Sequence, residues 1–246
     1  MGITRKAILI GAPSVKPELP GVKVDVDHIK SFLTSNKGGA WKESEITTLI
    51  DPSPSVVKTH LKLAEDSDYV FVTCSGHGEH RVGKGIDETV MHLNESDVIS
   101  INEVNPKNKR HLVIVDVCRN IVEIKREHAF AVAKATMESM SESHINYRKV
   151  FDDAIMATSE GRIVAYSCDL NQSAGDDGNG GVFTQALLGA TLKHKPFGSE
   201  AYGVLDIKAA FDTASEDTYR RNAPQKPVFN AGRRREFFPF AIVESK

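Results

Sequence analysis

The chain has 246 residues, of which 40% are apolar, and its formal net charge is −2. This length supports one large domain or two small ones, and we expect one. The balanced charge argues against nucleic acid as a general partner, and no apolar run approaches the roughly 18–20 residues that a membrane span needs. The N-terminal residues lead into a strand-like run without a signal-peptide core. Three cysteines are too few for a disulfide framework, so we expect free thiols in a cytoplasmic protein.

In chain order, short β-rich runs alternate with segments of helical period, which is typical of an α/β fold with a parallel sheet. The strands are predicted at residues 7–11, 46–50, 69–74, 112–117, 163–167 and 238–243. The helices are predicted at residues 24–36, 55–65, 182–193 and 205–213. The charged segment 121–161 has helical propensity and is interpreted as an inserted helical linker; the alternative is an ordinary pair of solvated crossover helices.

Two of the predicted strands end in residues that can perform chemistry. The run at 69–74 leads into Ser-Gly-His77-Gly78, and the run at 112–117 leads into Asp116-Val-Cys118-Arg. Functional residues of open parallel sheets gather beyond the carboxyl ends of the strands. We therefore expect the imidazole and the thiol, 41 positions apart in sequence, to meet at one edge of the sheet.

A thiol becomes a nucleophile when a neighbouring base or cation raises its thiolate fraction, and an imidazole can return the proton near neutral pH. Cys118 and His77 supply that pair. The glycine after the histidine imposes no Cβ, so a substrate chain can approach closely. The amides of Gly78 and Cys118 are the two predicted donors to an oxyanion.

Asp116 should point the same way as Cys118, because side chains two apart on a strand share a face. Two roles for this acid stay open at this point. It either orients the catalytic groups or forms the floor of a pocket that accepts a cationic side chain.

Other chemistries fit the motifs less well. Cys74, His77 and His80 have a spacing that could hold a metal, but no Cys-x-x-Cys pair accompanies them, and we predict no metal site. The Arg233-Arg234-Arg235 run is more typical of a surface loop or a protein contact than of a nucleic-acid site.

The order of these motifs resembles the caspase-like cysteine peptidases, especially their bacterial and metacaspase-type members. The resemblance rests on Ser-Gly-His77-Gly78, on Asp116-Val-Cys118-Arg, and on a later Gln-Ser-Ala followed by Gly-Gly-Val-Phe-Thr-Gln-Ala-Leu-Leu. It implies a three-layer sandwich with a mostly parallel six-stranded central sheet flanked by helices. It also implies a single catalytic domain over residues 1–246, with a large-subunit-like region 1–120, the linker 121–161 and a small-subunit-like region 162–246.

By this resemblance His77 is the general base and acid, Cys118 is the nucleophile, and the amides of Gly78 and Cys118 form the oxyanion hole. Caspases carry Gln where this chain has Asp116, whereas metacaspase-like relatives with Asp there cleave after Arg or Lys. A carboxylate pairs well with either cation. The resemblance extends the basic-residue (S1) pocket to Asp169, and Glu18 is a further candidate in the loop after the first strand.

Related chains are often cut in the linker region, which makes Arg126, Arg148 and Lys149 candidate processing sites. Since no sensor domain is evident, we expect a latent endopeptidase that linker cleavage or an activating protein partner switches on. Its substrates are expected to be proteins or peptides, and the chemistry needs no cofactor. Calcium dependence is not supported, because the acidic calcium-site pattern of metacaspases is not evident. The alternative reading is a catalytically inactive caspase-like module that binds or scaffolds a partner.

Overall fold

The computed structural model of the protein describes residues 2–123 and 145–245. In chain order the strands are β1 Arg5–Ala12, β2 Ile46–Ile50, β3 Tyr69–Gly76, β4 Gly78–Gly83, β5 Ile86–His92, β6 Val98–Ser100, β7 Arg110–Asp116, β8 Ile121–Glu123, β9 Gly161–Tyr166, β10 Tyr202–Asp206, β11 Val228–Asn230 and β12 Pro239–Glu244. The helices are α1 Gly21–Thr34, α2 Pro54–Leu63, α3 Tyr147–Ala157, α4 Val182–Ala190 and α5 Ile207–Arg221.

Six strands form the central sheet in the order β11-β9-β7-β3-β1-β2. All of its pairings are parallel except the edge pair of β11 with β9. Every residue of β3 is buried, as expected for a strand that is covered on both faces. The predicted fold class, a mostly parallel six-stranded sheet between helical layers, is therefore confirmed.

Alternate residues of each central strand pack into two separate cores. Ala7 and Leu9 of β1 face the core that α1, α3, α4 and α5 cover. Ile8 and Ile10 face the other core, which α2 and the small sheet β6-β5-β4-β8 cover. The sheet is thus held rigidly from both sides, and its carboxyl edge forms a fixed platform.

One predicted strand belongs to a different sheet from the one expected. The run at 238–243 is strand β12, but β12 pairs antiparallel with β10 in a separate two-stranded sheet. The sixth central strand is β11, which the sequence analysis did not predict. Three residues are too few to show a strand period, so the pairing with β9 decides this element.

The described part of segment 121–161 contributes to the core. Strand β8 pairs with β4, and α3 buries Tyr147, Phe151 and Ile155. Helix α3 is also anchored by charge, because the buried guanidinium of Arg5 lies 3.0 Å from the Asp152 carboxylate. Helix α3 lies within the predicted helical linker 121–161 and packs as an integral part of the domain, whereas residues 124–144 of that linker lie outside the described residues.

Candidate active site

The parallel register of β3 and β7 brings the two chemical motifs together. Val70 pairs with His111, and the register continues without a shift to Ser75 and Asp116. His77 follows the last residue of β3, and Cys118 lies two residues beyond the end of β7. Neighbouring strands lie about 4.8 Å apart, so the imidazole and the thiol share one edge of the sheet.

His77 is oriented by a backbone carbonyl. Its Nε2 lies 2.6 Å from the carbonyl oxygen of Pro17, so Nε2–H is the donor in this contact. The other ring nitrogen, Nδ1, is then the unprotonated one and can accept a proton. Burial lowers the pKa of this half-buried imidazole, and the Pro17 carbonyl opposes that shift in part. The resting imidazole is therefore neutral near pH 7.

Cys118 is the accessible cysteine of the three. Cys74 and Cys168 are buried, whereas Cys118 is partly exposed. Its Sγ lies 3.8 Å from the carbonyl oxygen of Ala174. Burial, with a further contribution from the Asp116 carboxylate, raises the pKa of the Cys118 thiol above its ordinary value. The resting pair is thus a neutral thiol beside a neutral imidazole.

The strand geometry sets the direction of the Gly78 amide. The His92 N–H donates to the His77 carbonyl at 3.0 Å, so the backbone of His77 is hydrogen-bonded to β5. The N–H of the next residue, Gly78, therefore points away from β5. The His80 N–H, two residues on, donates to the Asn120 carbonyl at 2.9 Å. Because alternate amides of a strand point to the same side, the Gly78 N–H is directed toward the Cys118 loop.

A side chain at position 78 has no room. A Cβ there would lie 2.6 Å from Cγ2 of Val117 and 2.7 Å from the Val90 carbonyl oxygen. Glycine therefore lets the backbone of β4 approach the residue that precedes the thiol. This close approach fits an oxyanion site formed by the Gly78 and Cys118 amides.

Arg119, which follows the thiol, holds this loop in place. Its side chain is buried, and its guanidinium carbon lies 4.0 Å from the ring centroid of Tyr166. Nε donates to Thr89 Oγ1 at 3.0 Å, and Nη1 donates to the Cys168 carbonyl at 3.1 Å. Arg119 thus joins β5, the Cys118 loop and the end of β9, and its planar fork suits this set of contacts.

Asp116 does not stand alone, because Asp25 of α1 is buried beside it. Only 6% of Asp116 and 3% of Asp25 are exposed. Burial raises the pKa of both carboxyls, and the negative charge of Asp116 raises that of Asp25 further. Both residues line a cavity of about 10 Å³, which has room for a single water-sized molecule. Among the described residues, neither acid forms an ion pair with a cation.

Asp25 is not among the residues predicted from the sequence. One signal could have revealed it: Asp25 lies four residues before Ile29 and eight before Leu33, on the apolar face of the predicted helix. An acid at such a position is buried, and a buried acid needs partners.

A glycine-rich segment, residues 178–181 before α4, covers the acid pair. The Gly181 N–H donates to both carboxylate oxygens of Asp25, at 3.0 and 3.1 Å. A Cβ on Gly181 would lie 2.2 Å from Oδ2 of Asp116, and one on Gly180 would lie 2.2 Å from Oδ1 of Asp25. Thr184 completes the cover by donating to Asp116 through its N–H at 3.2 Å and its hydroxyl at 2.6 Å. The space between the two acids is therefore closed in this conformation.

The other predicted pocket acids lie elsewhere. Asp169 is exposed, and its carboxylate accepts a hydrogen bond from the Leu170 N–H at 2.7 Å. Glu18 is exposed and forms an ion pair with Lys16. Neither residue lines the cavity between Asp25 and Asp116. Their roles in the pocket stay predictions.

The predicted processing sites divide between described and undescribed residues. Arg126 lies outside the described residues. Arg148 is in the first turn of α3, where Nη1 donates to Oε2 of Glu45 at 2.9 Å. Lys149, on the exposed side of the same turn, pairs with Asp153. Cleavage after Arg148 or Lys149 would require this helical turn to unwind.

Within residues 2–123 and 145–245, the structure has no helix long and apolar enough to cross a membrane. In the same residues, no group of three or more His, Cys, Asp or Glu side chains is arranged to hold a metal ion.

A parallel α/β sheet, covered on both faces and carrying a histidine and a cysteine at adjacent strand ends, defines a caspase-like fold. The chain matches the family model described as the caspase domain over residues 4–238. It therefore belongs to the caspase-domain family of cysteine peptidases, as the resemblance of its motifs implied.

The fold itself is similar to that in the crystal structure of caspase-1 from Spodoptera frugiperda, with a TM-score of 0.58. The two chains are 14% identical, and the match covers 94% of this chain and 87% of the insect chain. At this identity the likeness shows the shared architecture. Comparison with curated protein sequences gives no significant match.

Proposed function

We propose that the protein is a cysteine endopeptidase that cleaves protein substrates after Arg or Lys. The observation that carries this proposal is the acid pair Asp25 and Asp116, buried next to the nucleophile loop without a cationic partner among the described residues. Two carboxylates in a desolvated site repel each other. A guanidinium or ammonium group that enters the site would stabilise the negative charge of both. A basic substrate side chain supplies that charge.

The reaction follows from the positions of His77 and Cys118. When a substrate carbonyl carbon reaches the thiol, Nδ1 of His77 accepts the thiol proton while sulfur forms the C–S bond. The Gly78 and Cys118 amides donate to the resulting oxyanion. His77 then gives its proton to the departing amine, which leaves a thioester, and a water activated by the same imidazole hydrolyses it and restores the thiol.

The closed pocket supports a latent resting state. Residues 178–181 occupy the entrance to the acid pair, and the thiol and imidazole are both neutral. For an Arg or Lys side chain to enter, the hydrogen bonds from Gly181 to Asp25 must break. A protein partner, or cleavage in the segment before α3, is the proposed means of displacing this segment.

Hydrolysis of fluorogenic peptides by the full chain tests this proposal. We expect peptides that end in Arg or Lys to be cleaved, and peptides that end in Asp to be left intact. A Cys118→Ala variant should lose this activity. Cleavage by Cys118→Ala at the wild-type rate would refute the assignment of the nucleophile.

The same observation separates the enzyme from an inactive scaffold. The closed pocket is the feature that favours a scaffold, because a module without activity has no need to open it. Irreversible labelling of Cys118 by a peptidyl electrophile ending in Arg would exclude the scaffold, even if labelling is slow. A chain that stays unlabelled after linker cleavage and with candidate partners present would favour it.

A further inference from the structure

A cluster of arginines lies at the end of the sheet opposite the candidate active site. It surrounds an open pocket of about 880 Å³, here called the Arg234 pocket, whose lining includes Glu160, Gly161, Arg162, Arg233, Arg234 and Arg235. Gly161 pairs with Arg110 at the first position of β7, whereas Asp116 is at the last. At about 3.3 Å per residue, the Arg234 pocket lies roughly 20 Å from Asp116. It therefore belongs to a separate region of the molecule.

The guanidinium groups of this pocket have donors without a partner in the described part of the chain. Among those residues, Nε of Arg162 and both Nε and Nη1 of Arg234 are buried without a hydrogen-bond partner. One nitrogen of each residue is bonded: Arg162 Nη2 donates to the Ile101 carbonyl at 2.8 Å, and Arg234 Nη2 donates to the Glu160 carbonyl at 3.0 Å. Buried polar groups without partners are rare in folded proteins and call for an explanation.

The side chains are held in place even though their charge is not neutralised. The guanidinium carbon of Arg234 lies 4.9 Å from the ring centroid of Phe238. Gly161 allows this position, because a Cβ there would lie 2.6 Å from Nη2 of Arg234. Neither Arg162 nor Arg234 forms an ion pair with any described acid. A fixed guanidinium with free donors is the usual element of an oxyanion site.

A neighbouring buried histidine also faces the two guanidinium groups. His111 has only 5% of its surface exposed, and its Nε2 has no partner among the described residues. Its pKa is lowered to about 4, mainly by burial, and the charges of Arg162 and Arg234 add to that shift. Burial alone lowers the pKa of a histidine, so this shift is consistent with the free guanidinium charges without establishing them.

The acids of the pocket do not cancel this charge. Glu160 is 3.2 Å from Lys109 and 3.9 Å from Arg110, so two other cations share it. Glu236 is exposed at the rim, beside the exposed Arg233 and Arg235. No described acid therefore neutralises the buried donors of Arg162 and Arg234.

We propose that the Arg234 pocket binds a phosphoryl oxyanion, either free phosphate or the phosphate group of a small metabolite. The donors of Arg162 and Arg234, which are buried in the resting structure and must become accessible as the anion enters, would bind its oxygens. The exposed Arg235 would add charge at the rim. Arginine suits this group because its planar fork matches the geometry of phosphate oxygens. The proposal is independent of the peptidase activity, because it rests on residues at the other end of the sheet.

Isothermal titration calorimetry of the full chain tests this site, with sodium chloride of matched ionic strength as the blank. One arm uses inorganic phosphate, and the other uses adenosine monophosphate. We expect saturable binding in at least one arm. Equal affinities would assign recognition to the phosphate alone, and tighter binding of the nucleotide would identify a phosphorylated metabolite as the ligand.

The variants link binding to this pocket. Arg234→Gln should weaken binding on the order of tenfold, because it removes a charged bidentate donor. Arg235→Gln changes an exposed side chain, and a smaller loss is expected from it; this second variant decides the question if Arg234→Gln does not fold. The control is Arg220→Gln on the exposed side of α5, which should bind like wild type. No saturable binding in either arm, or wild-type affinity in both pocket variants, would overturn the proposal.

Discussion

The Gly181 N–H donates to both carboxylate oxygens of Asp25, across 156 positions of sequence. This contact joins the glycine-rich segment 178–181 to helix α1 and closes the space between Asp25 and Asp116. It makes one acid both a part of the proposed substrate pocket and a partner of the segment that covers it.

Asp25→Asn should weaken cleavage after Arg while making the fold more stable. Its folded-state pKa is raised above the ordinary 3.8, so the folded protein holds this proton more tightly than the unfolded chain. Stability from this group is therefore present at low pH and is lost as pH rises through the folded pKa. Asparagine carries no charge, so the variant does not lose stability as the pH rises. We expect a higher melting temperature at pH 7, on the order of 2–4 °C for each kcal/mol added to the free energy of unfolding.

Scanning calorimetry from pH 4 to pH 8, paired with Arg-peptide hydrolysis, measures both effects. The loss in kcat/KM should be at least on the order of tenfold, because the substrate cation loses a buried charge partner. Asp27→Asn on the exposed face of the same helix is the matched control and should change neither property. A lower melting temperature for Asp25→Asn at pH 7 would show that the carboxylate is stabilised as a charge.

Gly181→Ala and Gly189→Ala should change stability in opposite directions. A Cβ at 181 would lie 2.2 Å from Oδ2 of Asp116, and a Cβ at 189 meets nothing within 4 Å. We expect the first variant to lose about 1–3 kcal/mol by overpacking. The second, within α4, should gain about 0.5–1 kcal/mol from helix propensity. Urea unfolding of the two proteins checks the pair, and equal stability would contradict the position given to Gly181.

The Cys118 thiol of the resting protein should react slowly with iodoacetamide at neutral pH. Burial and Asp116 raise its pKa above the ordinary 9.0, so its thiolate fraction at pH 7 is smaller than that of a free thiol. The rate should rise with pH to a midpoint above 9. In concentrated urea the midpoint should fall to about 8.5. Mass spectrometry of the Cys118 peptide follows the modification, and a midpoint below that of the urea sample would contradict a neutral resting thiol.

Trypsin should spare the bonds after Arg148 and Lys149 in the folded protein. Arg148 is fixed to Glu45, and Tyr147 and Phe151 of the same helix are buried. Cleavage needs local opening of α3, so we expect these bonds to be cut at least on the order of tenfold more slowly than in urea-unfolded chain. Peptide mapping of a timed digest measures the ratio. Rapid cutting at Arg148 would support its predicted role as a processing site.

The carboxyl ends of the central strands could be predicted from the sequence, because strands of a sheet that is covered on both faces are continuous apolar runs. Each run ends visibly, and His77 and Cys118 follow two such ends. Asp116 was predicted for the same reason. Asp25 was not, because the valines on either side of it hide its burial in an ordinary amphipathic pattern.

The closed state of the pocket could not be predicted from local patterns. It depends on the placement of Gly181 between two acids that are distant from it in sequence. Strand β11 was missed for a similar reason, since three residues acquire their structure by pairing with β9. The charged composition of segment 121–161 predicts a linker, and the packing of its last helix, α3, depends on only a few apolar residues such as Phe151 and Ile155.

The central claim is that Asp25 and Asp116 select a basic side chain for attack by Cys118. The most direct measurement compares the second-order rates at which Cys118 is labelled by peptidyl electrophiles that end in Arg, in its uncharged analogue citrulline, and in Asp. All three reagents require the 178–181 segment to open, so this step lowers their labelling rates equally. The ratio of the rates therefore measures the effect of the side-chain charge alone. We predict that the Arg reagent reacts at least on the order of tenfold faster than the citrulline reagent, and that the Asp reagent is slowest. Equal rates for Arg and citrulline, or a preference for Asp, would contradict the claim.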